Sequence, residues 1–113
     1  MTAQHYDLVV IGCGPAGEKA AAQAAYFGKR CAIVDRAQVG GACVHTGTLP
    51  SKALRESALH LSGLNALGVS GVACTVAEGV SVNSLMAHRE AVAEAEVNRI
   101  ISNLERHGID LLQ

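Results

Sequence analysis

The amino-acid sequence predicts an α/β fold in which helices pack against a parallel β-sheet. Half of the 113 residues are apolar, but only 3% are aromatic, and alanine and glycine are abundant. This composition favours layers whose backbones approach closely over a bulky β core. Two short apolar runs, residues 8–11 and 31–35, flank an alanine-rich segment of helical composition. That order predicts a β-α-β unit, which joins parallel strands through a right-handed crossover.

Local patterns define the elements of this unit. Residues 8–11 form a continuous apolar run that ends at glycine, which predicts a strand buried on both faces of the sheet. Residues 15–27 consist largely of good helix formers, and Gly28 is suited to end that helix. Residues 31–35 repeat the apolar pattern and form the second predicted strand.

The segment after the second strand predicts two further helices. Residues 50–64 form the first of them, with Pro50 near its first turn. Residues 65–82 are weakly patterned and predict a loop with some extended segments. The second helix begins near Asn83 or Ser84, since either side chain can cap it.

The second of these helices is long and amphipathic, and it extends to about His107. Gly108 then ends it, and residues 109–113 predict the start of a third strand. Its apolar positions recur at a spacing of three to four residues: Leu85, Val92, Val97, Ile100, Ile101 and Leu104. This helix is expected to cover the sheet.

Charge and cysteine content restrict the class of protein. The net charge is −1, with nine basic and ten acidic residues, so no surface for nucleic acid or an anionic membrane is predicted. No apolar run approaches the ~20 residues of a membrane span, and the N-terminus lacks a secretory signal. The four cysteines include no C-x-x-C pair, which favours reduced thiols. We expect a soluble, cytoplasmic protein.

A glycine motif stands between the first strand and the first helix. In Gly12-x-Gly14-x-x-Gly17, the first glycine permits a tight turn, the second admits a pyrophosphate, and the third lets helix and strand pack closely. The helix N-terminus presents free N–H groups to the phosphates. Asp35, at the end of the second strand, is placed to bind the adenosine ribose. The motif predicts a Rossmann-like dinucleotide site and does not separate FAD from NAD; Cys13 is a small residue tolerated in the turn.

A second motif, GGACVHTGTLPSK, begins at Gly40 and ends at Lys52. It has the form of a redox loop but contains one cysteine, Cys43. Thr48 stands five residues later, where a dithiol site would need its second sulfur. Threonine forms neither a thiolate nor a disulfide.

With this motif, the chain resembles the flavin-dependent pyridine nucleotide-disulfide oxidoreductases, the group of dihydrolipoamide dehydrogenase and glutathione reductase. The motif residues that match the family are Gly40, Gly41, Cys43, Gly47, Pro50, Ser51 and Lys52. The resemblance implies FAD as the cofactor and extends over the chain as the N-terminal part of such an enzyme. Since a doubly wound sheet usually has more than three strands, residues 1–113 are expected to be a truncated FAD/NAD(P)-binding domain, without nicotinamide-binding and dimerisation domains.

The resemblance also implies roles for individual residues. The FAD pyrophosphate would be lined by Gly12, Gly14, Pro15, Ala16 and Gly17. Asp35 and Arg36 would lie at the adenosine end, and Gly41, Ala42 and Cys43 at the flavin side. Lys52 would lie near the flavin ring nitrogen that exchanges hydride, where a cation stabilises the anionic reduced ring; an ordinary surface lysine is the alternative.

Thr48, in place of a second cysteine, argues against a reaction in which electrons leave through a thiol pair. In disulfide-reducing relatives, electrons leave the flavin through a thiol pair, which this loop lacks. Electrons would instead leave the flavin directly. The resemblance implies that they pass from NADPH through FAD to NAD⁺, as a transhydrogenation of the Si-specific type in a longer, homo-oligomeric enzyme. The alternatives are a dihydrolipoamide dehydrogenase-like or other flavin reductase, and a non-catalytic dinucleotide-binding fragment. The isolated 113 residues are expected to be inactive.

The remaining histidines and cysteines are not expected to be catalytic. Cys43 is interpreted as a small residue beside the cofactor more than as a nucleophile. His45 is expected either to donate a hydrogen bond within the loop or to be solvated, without a catalytic role. Cys43-x-His45 predicts no metal site, since no second ligand pair accompanies it. Structural or exposed positions are expected for His60, His88, His107, Cys31 and Cys74.

Overall fold

The computed structural model describes residues 4–36, 38–66 and 79–113, with the backbone alone for 64–66. These ranges contain three strands and four helices. They are β1 (Leu8–Ile11), α1 (Pro15–Tyr26), β2 (Cys31–Val34), α2 (Gly41–His45), α3 (Thr48–Ala66), α4 (Val82–Arg106) and β3 (Asp110–Leu112). No helix within the described ranges combines the length and the apolar character needed to cross a membrane.

The three strands form a parallel sheet in the order β1-β2-β3. Leu8 pairs with Cys31 at the start of β1, and Ile33 of β2 pairs with Leu111 of β3. Helix α1 packs on β1 and β2, while α4 contacts α1 and β3. The predicted α/β class, its β-α-β unit and the third strand are therefore confirmed.

The prediction that the first strand is buried on both faces is wrong for the described chain. Leu8 and Val10 pack against the core, but Val9 is 50% exposed and Ile11 is 91% exposed. Successive side chains of a strand point to opposite faces, and helices α1 and α4 cover the face that Leu8 and Val10 occupy. The other face carries exposed apolar side chains.

The core lies between the sheet and the helices. Its largest buried apolar side chains are Ile33 of β2 and Ile100 and Leu104 of α4, each no more than 2% exposed. Burying a side chain of this size contributes roughly 1.5–3 kcal/mol to stability. Buried Cys13 and Cys31 belong to the same cluster, so the structural role expected of Cys31 is confirmed.

The helical segments differ from the prediction at their starts. Helix α2, which has only five residues, was not predicted, and α3 starts at Thr48 instead of residue 50. The caps predicted at Asn83 and Ser84 are wrong, because Ser81 caps α4: its Oγ accepts a hydrogen bond from the backbone N of Ser84 at 3.4 Å.

Smaller differences concern element ends and the predicted loop. Helix α1 and strand β2 each end one residue earlier than expected, within the normal spread of boundary assignment. Residues 65 and 66 belong to α3, while 67–78, with Cys74, lie outside the described residues.

Candidate dinucleotide site

The glycine motif forms the turn between β1 and α1. Gly12 adopts a φ of +99°, a left-handed conformation that glycine enters without steric cost. Its backbone N donates a hydrogen bond to the carbonyl O of Val34 at 2.7 Å, which joins the turn to β2. Gly14 is the N-cap of α1 and Pro15 its first residue. Pro15 and Ala16 are exposed there, as expected of residues at a ligand-accessible helix end.

Gly17 provides the close approach of helix and turn that the motif predicts. A Cβ built on Gly17 would lie 2.0 Å from the carbonyl O of Gly12 and 3.1 Å from Cγ1 of Val10. No side chain fits at that distance, so any larger residue must displace α1.

The turn leaves room for a ligand on its other side. A Cβ on Gly12 or on Gly14 would meet no protein atom within 4 Å. This open space adjoins the N-terminus of α1, where free N–H groups and the helix dipole favour an anion. The residues present therefore fit the diphosphate of an adenine dinucleotide.

Asp35 lies beside the turn, directly after β2. Its Oδ2 accepts a hydrogen bond from the backbone N of Cys13 at 2.6 Å. Asp35 and Arg36 line a cavity of about 410 Å³ together with Ile11, Gly12 and Val34. The acid predicted for the ribose thus adjoins the phosphate turn, and it also holds the turn in place, a contact that the spacing of the motif did not indicate.

The cysteine loop meets the glycine turn directly. The backbone N of Gly40 donates to the carbonyl O of Cys13 at 2.8 Å. A Cβ on Gly41 would lie 3.2 Å from the Cα of Gly14, so a larger residue would push the two segments apart by a few tenths of an ångström. Gly41 and Ala42 line a further cavity of about 350 Å³. The two sequence motifs, separated along the chain, form one surface.

The thiols of the described chain are free and unequally accessible. Cys13, Cys31 and Cys43 form no disulfide. Burial raises the pKa of the Cys13 thiol, the largest effect there, and burial likewise raises the pKa of Cys31. Both are therefore poor nucleophiles. Cys43, on α2, is half-buried, and exposed Thr48 begins the next helix.

Lys52 lies apart from the residues described so far. It is exposed on α3 and lines a cavity of about 210 Å³ between α3 and α4, together with Glu56 and His88. The structure does not bring Lys52 into this shared surface of turn and loop, so its role toward a flavin ring stays a prediction.

Of the two alternatives expected for His45, the structure shows the hydrogen bond near the loop, whereas the contact of His45 with α4 was not expected from the sequence. Its Nε2 lies 2.8 Å from the carbonyl O of Val39, which can only accept, so Nε2 carries the proton. Its own carbonyl O accepts a hydrogen bond from Nη2 of Arg89 in α4 at 2.8 Å. No short motif signals a contact between residues so far apart. His60 and His88 are exposed, as expected, and His107 contacts the carbonyl O of Asn103 through Nδ1 at 2.8 Å.

Comparison with known proteins decides the family. The sequence profile of the pyridine nucleotide-disulphide oxidoreductases matches residues 6–112. The chain belongs to the pyridine nucleotide-disulphide oxidoreductase family. The family resemblance predicted from the two motifs is thereby confirmed.

Several members of this family resemble the chain. The soluble pyridine nucleotide transhydrogenase of Mycobacterium tuberculosis is 43% identical over 110 residues, which cover 96% of this chain and 24% of that protein. Its namesake from Marinomonas sp. is 54% identical over 66 residues, which cover 58% of this chain and 14% of the relative. The chain thus spans about a quarter or less of the length of these curated relatives.

A solved structure with a similar fold supports the α/β arrangement of this chain. The Cu(II) complex of the HOCl-induced flavoprotein disulfide reductase RclA from Escherichia coli superposes with a TM-score of 0.75 at 23% identity. The match covers 97% of this chain and 22% of RclA. The Rossmann-like arrangement of the sheet and helices is shared between the two.

Proposed function

We propose that this chain is the FAD-binding part of a flavoprotein oxidoreductase that transfers hydride between NADPH and NAD⁺. The observation that carries the proposal is the joining of two motifs at one surface. A glycine turn with room for a diphosphate meets a redox loop that has Cys43 but Thr48 in place of a second sulfur. When bound, FAD would supply the hydride chemistry, and the protein would supply binding and orientation.

The chain's residues would bind the cofactor from its adenosine end to its flavin end. The backbone N–H groups of Ala16 and Gly17 would hold the diphosphate at the start of α1. Asp35, already fixed to the turn through Cys13, would accept hydrogen bonds from the ribose, and Arg36 would border the adenosine. Gly12 and Gly14 have free space where a Cβ would lie, so they would leave the backbone open to the diphosphate.

At the flavin end, the backbone from Gly41 through Cys43 would border the ring system. Lys52 would place a cation near the ring, where it would stabilise negative charge. Thr48 contributes no thiol, so Cys43 has no partner at that position for a redox-active disulfide. The proposed role of Cys43 is packing beside the cofactor.

The whole protein is proposed to be larger than the unit described here. This chain spans 24% of the length of a relative. By analogy, the rest of the full protein would contain nicotinamide-binding and dimerisation domains, and the full protein would be a homo-oligomer.

An exposed apolar row on the sheet, formed by Ile11, Val34 and Leu112, supports the proposal that another part of the full protein packs on that face. Parallel sheets are covered on both faces. Residues 1–113 alone are proposed to lack turnover. Reduced thiols at Cys13, Cys31 and Cys43 support a place in the cytoplasm.

Because the proposed hydride transfer uses no thiol, Cys43→Ser is expected to retain activity. In the full-length protein, reduction of an NAD⁺ analogue by NADPH should stay within about twofold of the unmodified enzyme, because no sulfur takes part. Cys31→Ser, in the core and remote from the loop, serves as the control for general effects of losing a thiol. A loss of activity confined to Cys43→Ser, or strong disulfide reductase activity of the unmodified protein, would refute the proposal.

A further inference from the structure

We propose that Arg89 is a positioning residue for the flavin end of the site. Its guanidinium fixes the C-terminal end of α2 and thereby the backbone from Gly41 through Cys43. This inference rests on the proposed function, which places that backbone against the flavin. It concerns a residue in α4, outside both sequence motifs.

The contact closes the exposed end of a very short helix. Nη2 of Arg89 donates to the carbonyl O of His45 at 2.8 Å, and His45 is the last residue of α2. The last carbonyls of a helix have no partner within it, and a cation is favourable near that end. Arg89 supplies the donor and the charge together.

Helix α2 depends on such outside contacts because it is so short. A five-residue helix has too few internal hydrogen bonds to be stable by itself. The His45 ring is held to the carbonyl O of Val39 at 2.8 Å, and Val44 is buried in the core. The backbone N atoms of Thr46 and Gly47 both donate to the carbonyl O of Ala42. Arg89 adds a hydrogen bond from α4 to this end of α2.

The other end of α2 contacts the glycine turn, so a shift of this helix would also change the position of the turn. Gly41 packs against Gly14 closely enough that an added Cβ would lie 3.2 Å from the Gly14 Cα. Helix α4 also contacts α1, the helix that follows the glycine turn. In this contact, Nδ2 of Asn103 donates to Oε1 of Glu18 at 2.8 Å. Helix α4 therefore contacts both α2 and α1, so it can stabilise their relative position.

A purely structural role for Arg89 would come from its apolar stem. Arg89 lines a cavity of about 480 Å³ together with Ala93, Val97 and Ile101, and long side chains stabilise such surfaces through their methylene groups. Arg89→Met keeps an apolar stem and removes every donor, whereas Arg89→Lys restores a cationic donor. Arg106→Met, at an exposed position of the same helix, is the matched control.

The test is made on the full-length protein with and without FAD. Arg89→Met should accelerate amide hydrogen exchange in α2 and maleimide labelling of Cys43 by at least about tenfold, through local opening of the helix. It should also alter the absorption spectrum of bound FAD. Arg89→Lys should restore most of each signal, and Arg106→Met should match the unmodified protein.

The outcomes separate this inference from the proposed function. If Arg89→Met leaves α2 exchange and Cys43 labelling unchanged, the inference is overturned. It is also overturned if Arg89→Lys restores nothing and exchange rises throughout the chain, which indicates general destabilisation. If the unmodified protein binds no FAD, the proposed function fails, while exchange and labelling in the FAD-free protein still decide whether Arg89 positions α2.

Discussion

Gly14→Ala is expected to abolish FAD binding while changing the free energy of unfolding by less than about 1 kcal/mol. Gly14 has a φ of −79° and a ψ of −179°, an extended conformation that alanine adopts without strain. The added Cβ would meet no protein atom within 4 Å. It would instead occupy the space proposed for the diphosphate, so FAD binding is lost while the stability of the fold is retained.

Gly17→Ala is the contrasting substitution in the same motif. Its Cβ would lie 2.0 Å from the carbonyl O of Gly12, and α1 would have to move away from the turn. We expect a loss of about 3 kcal/mol in unfolding free energy, at the upper end of overpacking effects, together with loss of FAD binding. Gly17 thus affects folding and binding together, whereas Gly14 affects binding alone.

Urea unfolding of the FAD-free protein and fluorescence titration with FAD measure the two effects separately. Gly63→Ala is the control, because Gly63 lies inside α3 and an added Cβ there meets nothing. It should stabilise the protein by about 0.5–1 kcal/mol and leave FAD affinity unchanged. Undiminished FAD affinity in Gly14→Ala would contradict a diphosphate lying against this turn.

Glu18→Ala is expected to lower the free energy of unfolding by about 2–3 kcal/mol, because charged hydrogen bonds are lost and the half-buried amide of Asn103 loses its acceptor. Glu18 is 1% exposed, although it carries a carboxylate. Its Oε1 accepts hydrogen bonds from Nδ2 of Asn103 at 2.8 Å and from Nζ of Lys19 at 3.1 Å. Nη2 of Arg99 lies 3.5 Å from Oε2.

The expected effect stays below that of a fully buried ion pair for a physical reason. The side chains of Lys19 and Arg99 are 65% and 48% exposed, so both cations can regain water when the carboxylate is removed. The amide of Asn103 is half-buried, so it regains water less fully than the two cations do. Glu18→Gln preserves an acceptor for Asn103 and should cost less than Glu18→Ala.

Thermal and urea unfolding of these variants, compared with Glu94→Ala, check this prediction. Glu94 is exposed on α4, and its removal should change stability by no more than about 0.5 kcal/mol. Equal effects of Glu18→Ala and Glu94→Ala would show that the buried contact between α1 and α4 contributes no stability.

The parts of the molecule that the sequence predicted are those encoded within a short stretch. The turn from Gly12 to Gly17 and the acid at Asp35 follow from local spacing, and the strands around them from continuous apolar runs. Exposure of Ile11 was not predictable in this way, because an apolar run looks the same whether one face or both are covered. The choice of Ser81 as the α4 cap was likewise open among neighbouring polar residues.

Contacts between distant residues account for the rest. Helix α2 has no periodicity to detect in five residues, and it exists through the anchoring of His45 by Val39 and Arg89. Glu18 looks like an ordinary first-turn acid of α1, and its burial depends on Asn103, 85 residues away. Such partners cannot be assigned from one sequence.

Anaerobic titration of the FAD-loaded, full-length protein with NADPH tests most directly whether hydride transfer proceeds without a thiol. We expect reduction to be complete at about two electrons per flavin, because Thr48 leaves Cys43 without a redox partner in the loop. Uptake of about four electrons per flavin, as a flavin together with a disulfide would take, would contradict it.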